Sequence, residues 1–247
     1  MTEVILNESM WAENMLSKRS LGKAPINTLN SIARCYFASG YKKKEIPRLL
    51  ELFLVRCDPN MNITEWDNAI QNAVKRCDKR KPIDIKGVFV TDAEMKKIRE
   101  LNGNHLERLM FTLLCLAKYE NALRGSHKNW VNFSTKDIFN LANIILSVNR
   151  RGLLINELYT RGYIDFGEVV DSTSINVKIV DKNDCGDLSD KGGVFIDDFR
   201  NLGNRYMMMC GQSYFECNIC GLVTRRTSNR QKYCALCAAR INSKNVI

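Results

Sequence analysis

The sequence lacks long apolar runs, and its beginning lacks the pattern of a secretion signal. No apolar stretch in the 247 residues reaches the roughly 18 consecutive residues that suit a membrane-spanning helix. The opening segment MTEVILNESMWAENML carries acidic and polar side chains where a signal peptide has a basic start and an apolar segment. We therefore expect a cytoplasmic protein that does not contact a membrane.

The motifs of common catalytic sites are also missing. The chain has no P-loop motif, no acidic metal-binding triad and no nucleophile with a matching base. Its two histidines, His105 and His127, are assigned structural roles. The sequence therefore predicts a protein that is not an enzyme.

Cysteine is plentiful, with ten residues, but its distribution does not suit a disulfide framework. Six cysteines are scattered singly, as small buried apolar residues usually are: Cys35, Cys57, Cys77, Cys115, Cys185 and Cys210. The other four are clustered near the C-terminus. A reducing cytoplasm with one metal site explains both observations better than five disulfides do.

The clustered cysteines form two Cys-x-x-Cys pairs, Cys217 with Cys220 and Cys234 with Cys237, separated by 13 residues. Each pair places two thiolates on one side of a tight turn, so the two pairs supply the tetrahedral ligand set that Zn²⁺ prefers. Because four cysteines leave no coordination position for water, the predicted zinc site is structural. A redox pair would need a thioredoxin-like βαβ setting, which the surrounding pattern lacks.

This cysteine segment resembles the zinc-ribbon or treble-clef tails of proteins from phages and other mobile elements of Gram-positive bacteria. The resemblance implies that the protein acts in a bacterial host cell. We place the tail at residues 213–247. A unit this small has little core, so we expect that loss of zinc unfolds the tail and only the tail.

Positive charge concentrates in the same tail. The chain has a formal net charge of +10, and residues 213–247 contain six basic side chains against one acidic side chain. Four of them lie between the two cysteine pairs: Arg225, Arg226, Arg230 and Lys232. Because arginine binds phosphate in a bidentate manner, we predict that these residues contact nucleic acid. The alternative is a solvated basic tail without such a partner.

Residues 1–82 are predicted to form a helical domain. Apolar spacing indicates three helices: one capped by Asn27, one starting near Lys43 with Pro47 in its first turn, and one starting at Thr64, where Asp67 completes a variant capping box. The order Gly-Tyr, Lys-Lys-Lys-Glu-Ile, Cys-Asp-Pro and Glu-Trp resembles, over residues 27–79, the small helical domain that follows the catalytic domain in plasmid and phage primases. That resemblance implies a supporting role in replication, with no catalytic residues.

Three consecutive lysines, Lys42, Lys43 and Lys44, stand at the predicted start of the second helix. Lysine at a helix N-terminus opposes the helix dipole, which favours a functional reason such as phosphate contact. The alternative is a solvated helix start.

Residues 83–212 are predicted to form a winged-helix-like domain. The segment IDIKGVFV alternates apolar and polar residues around Lys86-Gly87 and predicts a β-hairpin. Thr91 and Glu94 predict a capping box for the following helix. The next helix supplies the main core: Leu106, Leu109, Met110, Leu113, Leu114 and Leu116.

The second half of this domain carries the winged-helix pattern. A short strand near Trp130 and Val131 precedes a helix capped by Ser134 or Thr135, a turn, a second helix capped by Ser147, and a hairpin of YIDF and INVKIV. This order resembles a winged helix-turn-helix.

The winged-helix resemblance implies that the second helix enters the major groove of DNA. Asn149, Arg150 and Arg151 would then reach bases or phosphates. The predicted wing carries Glu168 and Asp171 rather than basic residues, so the alternative is a winged helix that docks on a protein or is purely architectural.

The predicted fold class is mainly α (α+β), with the helical domain, the winged helix and the zinc tail in that order. The favoured function is a non-enzymatic DNA-binding protein of a phage or mobile element, acting in replication or gene control. The alternative is an adaptor or inhibitor that binds a host protein, such as a polymerase, a replication factor or a defence nuclease.

Overall fold

The computed structural model describes residues 4–167, 174–181 and 192–244. Helices dominate the described residues, and the sheets there have only two or three strands. The predicted class, mainly α with some β, is confirmed. The chain divides into two compact units, Ile5–Lys86 and a larger unit that contains Gly87–Ile247.

The smaller unit contains four helices: α1 (Glu8–Lys18), α2 (Pro25–Ala38), α3 (Ile46–Cys57) and α4 (Ile63–Arg76). Their apolar faces form one core around Leu29, Ile32, Leu50 and Ile70. The buried carboxylate of Glu8 forms an ion pair with Arg34 and accepts a hydrogen bond from the backbone N–H of Ile83 at 3.0 Å.

All three predicted helix starts in this unit differ from the structure. Helix α2 begins at Pro25 rather than at Asn27, because proline has no N–H to lose in the first turn and its fixed φ suits a helix start. Helix α4 begins at Ile63 with Asn62 in the N-cap position, so Thr64 lies inside the helix. The placement of Pro47 in the first turn of α3 is confirmed, although that helix begins at Ile46 rather than near Lys43.

The larger unit contains the remaining elements: β1 (Val88–Thr91), α5 (Asp92–Arg99), α6 (Asn104–Arg124), β2 (Trp130–Val131), α7 (Thr135–Leu141), α8 (Val148–Thr160), β3 (Ile164–Phe166), β4 (Ile175–Val177), β5 (Gly193–Ile196), α9 (Leu202–Met209), β6 (Tyr214–Glu216), β7 (Val223–Arg225) and α10 (Ala235–Lys244). Helix α6 is the centre of its core. All six apolar residues predicted for the core of α6 are buried.

The predicted β-hairpin at Lys86-Gly87 is wrong. Strand β1 pairs antiparallel with the distant strand β5, in a register that sets Val88 opposite Ile196. A Cβ atom on Gly87 would lie 2.5 Å from the carbonyl oxygen of Ile196, so the close approach of the two segments explains this glycine better than a hairpin turn does. The capping box of Thr91 and Glu94 at the start of α5 is confirmed.

The winged-helix order is present in the larger unit. Helix α6 is followed by β2, α7, α8, β3 and β4, and the three strands form one sheet in the order β2-β4-β3. Ser134 caps α7 through a hydrogen bond from the backbone N–H of Asp137, and Ser147 occupies the N-cap position of α8 without a side-chain hydrogen bond. Glu168 and Asp171, predicted for the wing, lie outside the described residues.

The C-terminal segment packs on α9 inside the larger unit. Helix α9 begins at Leu202, and strands β6 and β7 form an antiparallel hairpin directly after it. The division at residues 82/83 and 212/213 stays a prediction. No helix among the described residues is both long enough and apolar enough to cross a membrane.

Candidate metal centre and basic surface

The first cysteine pair lies in the turn between β6 and β7. The backbone N–H of Cys217 donates to the carbonyl of Leu222 at 3.0 Å, and that of Gly221 donates to the carbonyl of Cys217 at 2.8 Å. Gly221 has φ 71°, a left-handed conformation that glycine adopts without steric cost. This tight turn directs two thiols to the same side of the chain.

The second pair lies at the start of α10. Cys234 directly precedes the helix and Cys237 lies in its first turn. The backbone N–H of Cys234 donates to the Cys217 sulfur at 3.2 Å, and the N–H of Asn218 donates to the carbonyl of Lys232 at 3.1 Å. These bonds join the two pairs. The helix at the second pair favours the treble-clef alternative over the zinc ribbon.

The four sulfur atoms form one cluster. The Sγ atoms of Cys217, Cys220, Cys234 and Cys237 all lie within 4.8 Å of one another, and those of Cys220 and Cys234 are 3.7 Å apart. A disulfide has an S–S distance of about 2.05 Å. Four sulfurs about 2.3 Å from a tetrahedral zinc ion would be about 3.8 Å apart. The cluster therefore has the dimensions of a site that can hold a metal ion.

The thiols in this cluster differ in acidity. Burial opposes ionisation of Cys217, but N–H groups of Cys234, Cys220 and Ile219 that point at its sulfur outweigh burial and lower its pKa to about 6. Burial, and hydrogen bonds that the Cys237 thiol donates to the sulfur atoms of the neighbouring cysteines, raise the pKa of Cys237 to about 12. Ionisation is thus favoured at Cys217 and opposed at Cys237. A bound dication removes this conflict, because it stabilises several thiolates together.

The four predicted phosphate contacts between the cysteine pairs are exposed: Arg225, Arg226, Arg230 and Lys232. Within the described ranges, none of these side chains makes an ion pair. The Arg226 guanidinium lies 5.5 Å from the centroid of the Phe215 ring, which orients it without neutralising it. The segment between the two cysteine pairs therefore presents positive charge to solvent that no ion pair among the described residues compensates.

The predicted contacts on α8 have different environments. Asn149 and Arg150 are exposed in its first turn. Arg151 is half-buried, with its guanidinium 5.5 Å from the centroid of the Phe139 ring. Its buried Nε has no hydrogen-bond partner in the described structure. Arg151 therefore packs against α7, and Asn149 and Arg150 are the more accessible groups.

The three lysines lie in the smaller unit, in the turn that precedes α3. Lys43 forms an exposed ion pair with Asp78 at 2.7 Å, and this pair raises the pKa of Lys43 and lowers that of Asp78. Lys42 and Lys44 are exposed. The structure therefore leaves two of the three ammonium groups open to an external anion.

One connecting residue was missed at the sequence level. Asn204 of α9, only 3% exposed, donates from Nδ2 to the Val223 carbonyl at 3.1 Å and accepts at Oδ1 from Asn143 Nδ2 at 2.7 Å. Asn143 lies in the turn between α7 and α8. A single amide thus joins the cysteine hairpin to the helix-turn-helix. No spacing or composition signal marks Asn204 in the sequence.

A second bond connects α9 to the cysteine turn. Arg200, just before α9, donates from Nη2 to the carbonyl of Cys220 at 2.7 Å. The same guanidinium pairs with Asp198, which raises the pKa of Arg200 and keeps the group charged. The cysteine cluster is therefore joined to the start of α9 by a side chain that precedes it in sequence.

The exposed side of α8 also carries apolar residues. Ile145 in the preceding turn is 91% exposed, and Val148 and Leu153 are 80% and 68% exposed. Exposed apolar side chains are a feature of protein interaction sites where they form one contiguous patch.

Comparison of the chain with protein-family profiles, with curated proteins and with solved structures finds no match. The resemblances to a primase helical domain and to phage zinc tails therefore stay predictions.

Proposed function

We propose that the four cysteines bind one Zn²⁺ ion with a structural role. Four soft thiolate ligands at tetrahedral spacing favour zinc among the common protein metals. All four coordination positions would be filled by protein. The ion would fix the β6–β7 hairpin to α10, a segment in which buried apolar residues are few.

We further propose that the larger unit, with its hairpin fixed by this metal site, binds DNA without catalysing a reaction on it. The observation that carries the proposal is the set of exposed, unpaired cations between the cysteine pairs. Fixed positive charges of this kind bind phosphates and release counterions from the nucleic acid. Arginine in three of the four positions suits bidentate phosphate contact.

The contacts of Asn204 support participation of α8 in the same interface. They link the hairpin that carries Arg225 to the turn that precedes α8. Asn149 and Arg150 occupy the part of α8 that meets base edges when a helix-turn-helix docks in the major groove. In this proposal the basic hairpin binds backbone phosphates and α8 reads the groove. Such a protein suits replication or gene control in a phage or mobile element.

Fluorescence anisotropy of a labelled DNA duplex tests this proposal with the full-length, metal-loaded protein. Binding should be measurable at about 50 mM salt and should weaken steeply by about 200 mM, because phosphate contacts depend on counterion release. Absence of binding at the lower salt concentration, or affinity that does not change with salt, would contradict DNA binding.

A second candidate function is favoured by the apolar surface at Ile145, Val148 and Leu153. It is that of an adaptor or inhibitor that docks on a host protein through the winged helix. DNA phosphates make no favourable contact with these apolar side chains, whereas a protein partner would bury them. Ile145→Ser with Leu153→Ser separates the candidates: an adaptor loses its partner, while a DNA-binding protein keeps its salt-dependent affinity for DNA.

A further inference from the structure

A cleft of about 370 Å³ opens beside β2 in the larger unit. Its lining consists of Arg124, Lys128, Trp130, Asn132, Gly167 and Ser174. The volume falls in the range of about 300–1,000 Å³ that is usual for small-molecule sites. None of these residues belongs to the metal cluster or to α8. The cleft combines an indole ring, two cations and several hydrogen-bonding groups.

The two cations of the cleft differ, because Arg124 is in an ion pair with Glu120 whereas Lys128 is not paired within the described residues. Arg124 donates from Nε to Glu120 at 2.8 Å, which orients the guanidinium and leaves its Nη groups for another acceptor. Lys128 is exposed and makes no ion pair with any residue that the structure describes. A ligand with a phosphate group would satisfy both side chains.

The loop that carries Lys128 is held in place by side-chain amides. Asn121 on α6 accepts from the Asn129 backbone N–H at 3.0 Å and donates to the Asn129 side chain at 2.7 Å. Asn176 on β4 donates to the carbonyl of Lys128 at 2.7 Å. Because these bonds fix the loop before any ligand arrives, the cleft is preorganised, which lowers the entropic cost of binding.

The floor of the cleft also has a fixed arrangement. Trp130 is held in β2 by its antiparallel pairing with Asn176 and remains partly exposed. Ser174 donates a hydrogen bond to the Asn132 side chain at 2.7 Å across the sheet. A partly exposed indole held in a strand is a platform on which a nucleobase can stack.

We propose that this cleft binds one nucleoside phosphate unit, with its base stacked on Trp130 and its phosphate held by Lys128 and Arg124. The unit is either an unpaired nucleotide of a single strand or a free nucleotide. The inference rests on the proposed function, because it adds a further contact to a protein that binds nucleic acid.

Tryptophan fluorescence tests the cleft directly. The chain has three tryptophans, and only Trp130 lies in the larger unit. A full-length Trp11→Phe, Trp66→Phe variant therefore reports on Trp130 alone. Its emission is followed during separate titrations with a single-stranded oligonucleotide, an abasic strand and a nucleoside monophosphate. Fluorescence anisotropy measures separately the binding of a labelled duplex and of the labelled single strand.

The proposal predicts that the oligonucleotide quenches Trp130 and that the abasic strand does not. Quenching by the monophosphate at the same nucleotide concentration identifies the free nucleotide as a ligand, and its absence identifies the strand. If the duplex binds and Trp130 emission is unchanged in all titrations, the proposal that the cleft binds a nucleotide is wrong, whereas the proposed DNA binding is still supported. Quenching without duplex binding supports the cleft and contradicts the proposed function.

Charge variants give a second measurement that needs no tryptophan substitution. Lys128→Ala should weaken single-strand binding and reduce the magnitude of its salt slope by about 0.7, the value for one lost phosphate contact. Lys96→Ala, an exposed lysine on α5 outside the cleft, is the matched control. Equal affinities of the two variants for the labelled single strand would overturn the assignment of Lys128.

Discussion

Asn204 Oδ1 accepts a hydrogen bond from Asn143 Nδ2 at 2.7 Å, so α9 is tied to the turn that precedes α8. The same amide donates to the Val223 carbonyl of the cysteine hairpin at 3.1 Å. Because one buried side chain satisfies polar groups on both sides, the cysteine hairpin and the turn before α8 are packed as neighbours.

Replacing Asn204 tests that connection. Asn204→Ala leaves the buried Val223 carbonyl without its side-chain donor, which costs about 1–3 kcal/mol in the free energy of unfolding. Urea denaturation followed by circular dichroism measures the change. Asn156→Ala, at an exposed position of α8, is the matched control and should change stability little. Equal effects of the two substitutions would contradict a structural role for Asn204.

Substitutions of two glycines are expected to change the stability of the larger unit in opposite directions. A Cβ on Gly203 of α9 would lie 1.8 Å from the Ala142 carbonyl oxygen, whereas a Cβ on Gly152 of α8 would meet no atom within 4 Å. Gly203→Ala should therefore destabilise the larger unit by about 3 kcal/mol, since the backbone must move. Gly152→Ala should stabilise it by about 0.5–1 kcal/mol through helix propensity.

The measurement for this pair is the thermal midpoint of each variant. The two midpoints should shift in opposite directions from that of the wild type, downward for Gly203→Ala and upward for Gly152→Ala. A Gly203→Ala protein as stable as the wild type would show that α9 does not approach the α7–α8 turn so closely.

Several local signals in the sequence predicted local structure, although the caps predicted at Asn27 and Thr64 are wrong. The capping box of Thr91 and Glu94, the cap at Ser134 and the apolar stripe of α6 each depend on residues within a few positions, and each is confirmed. The pairing of β1 with β5 could not be predicted in this way, because the two strands are far apart in sequence.

In the candidate site, too, the sequence predicted local features but not contacts between distant segments. The spacing of the four cysteines was sufficient to predict their cluster, because each pair is a local turn. The environment of Arg151 was not predictable from the helix pattern, since its contact with Phe139 depends on how α7 packs against α8. The role of Asn204 depends on three segments at once, and no single segment reveals it.

Metal binding should depend on the clustered cysteines alone. The wild type is expected to purify with one zinc ion per chain, and Cys220→Ser should lose most of it because oxygen is a poorer zinc ligand than thiolate. Inductively coupled plasma mass spectrometry measures the content. Cys57→Ser, which alters a half-buried cysteine of the smaller unit, serves as control and should retain the metal.

Acidification gives an independent check on the metal site. Metal binding keeps the thiols deprotonated, so protons compete with zinc, and release should increase as pH falls. A chromogenic chelator follows the release. Equal zinc content in the Cys220→Ser and Cys57→Ser variants, or zinc affinity that does not change with pH, would contradict a thiolate site.

The salt dependence of DNA binding by a triple variant tests the central claim most directly. Arg225→Ala, Arg226→Ala and Arg230→Ala together should weaken duplex binding, leave zinc content unchanged and reduce the magnitude of the slope of log K against log salt by about 2.7, or about 0.9 for each lost phosphate contact. The charge-matched control replaces Lys96, Lys97 and Arg99, three exposed cations of α5, and should retain the wild-type slope. A triple variant whose slope and affinity equal those of the wild type would contradict the account.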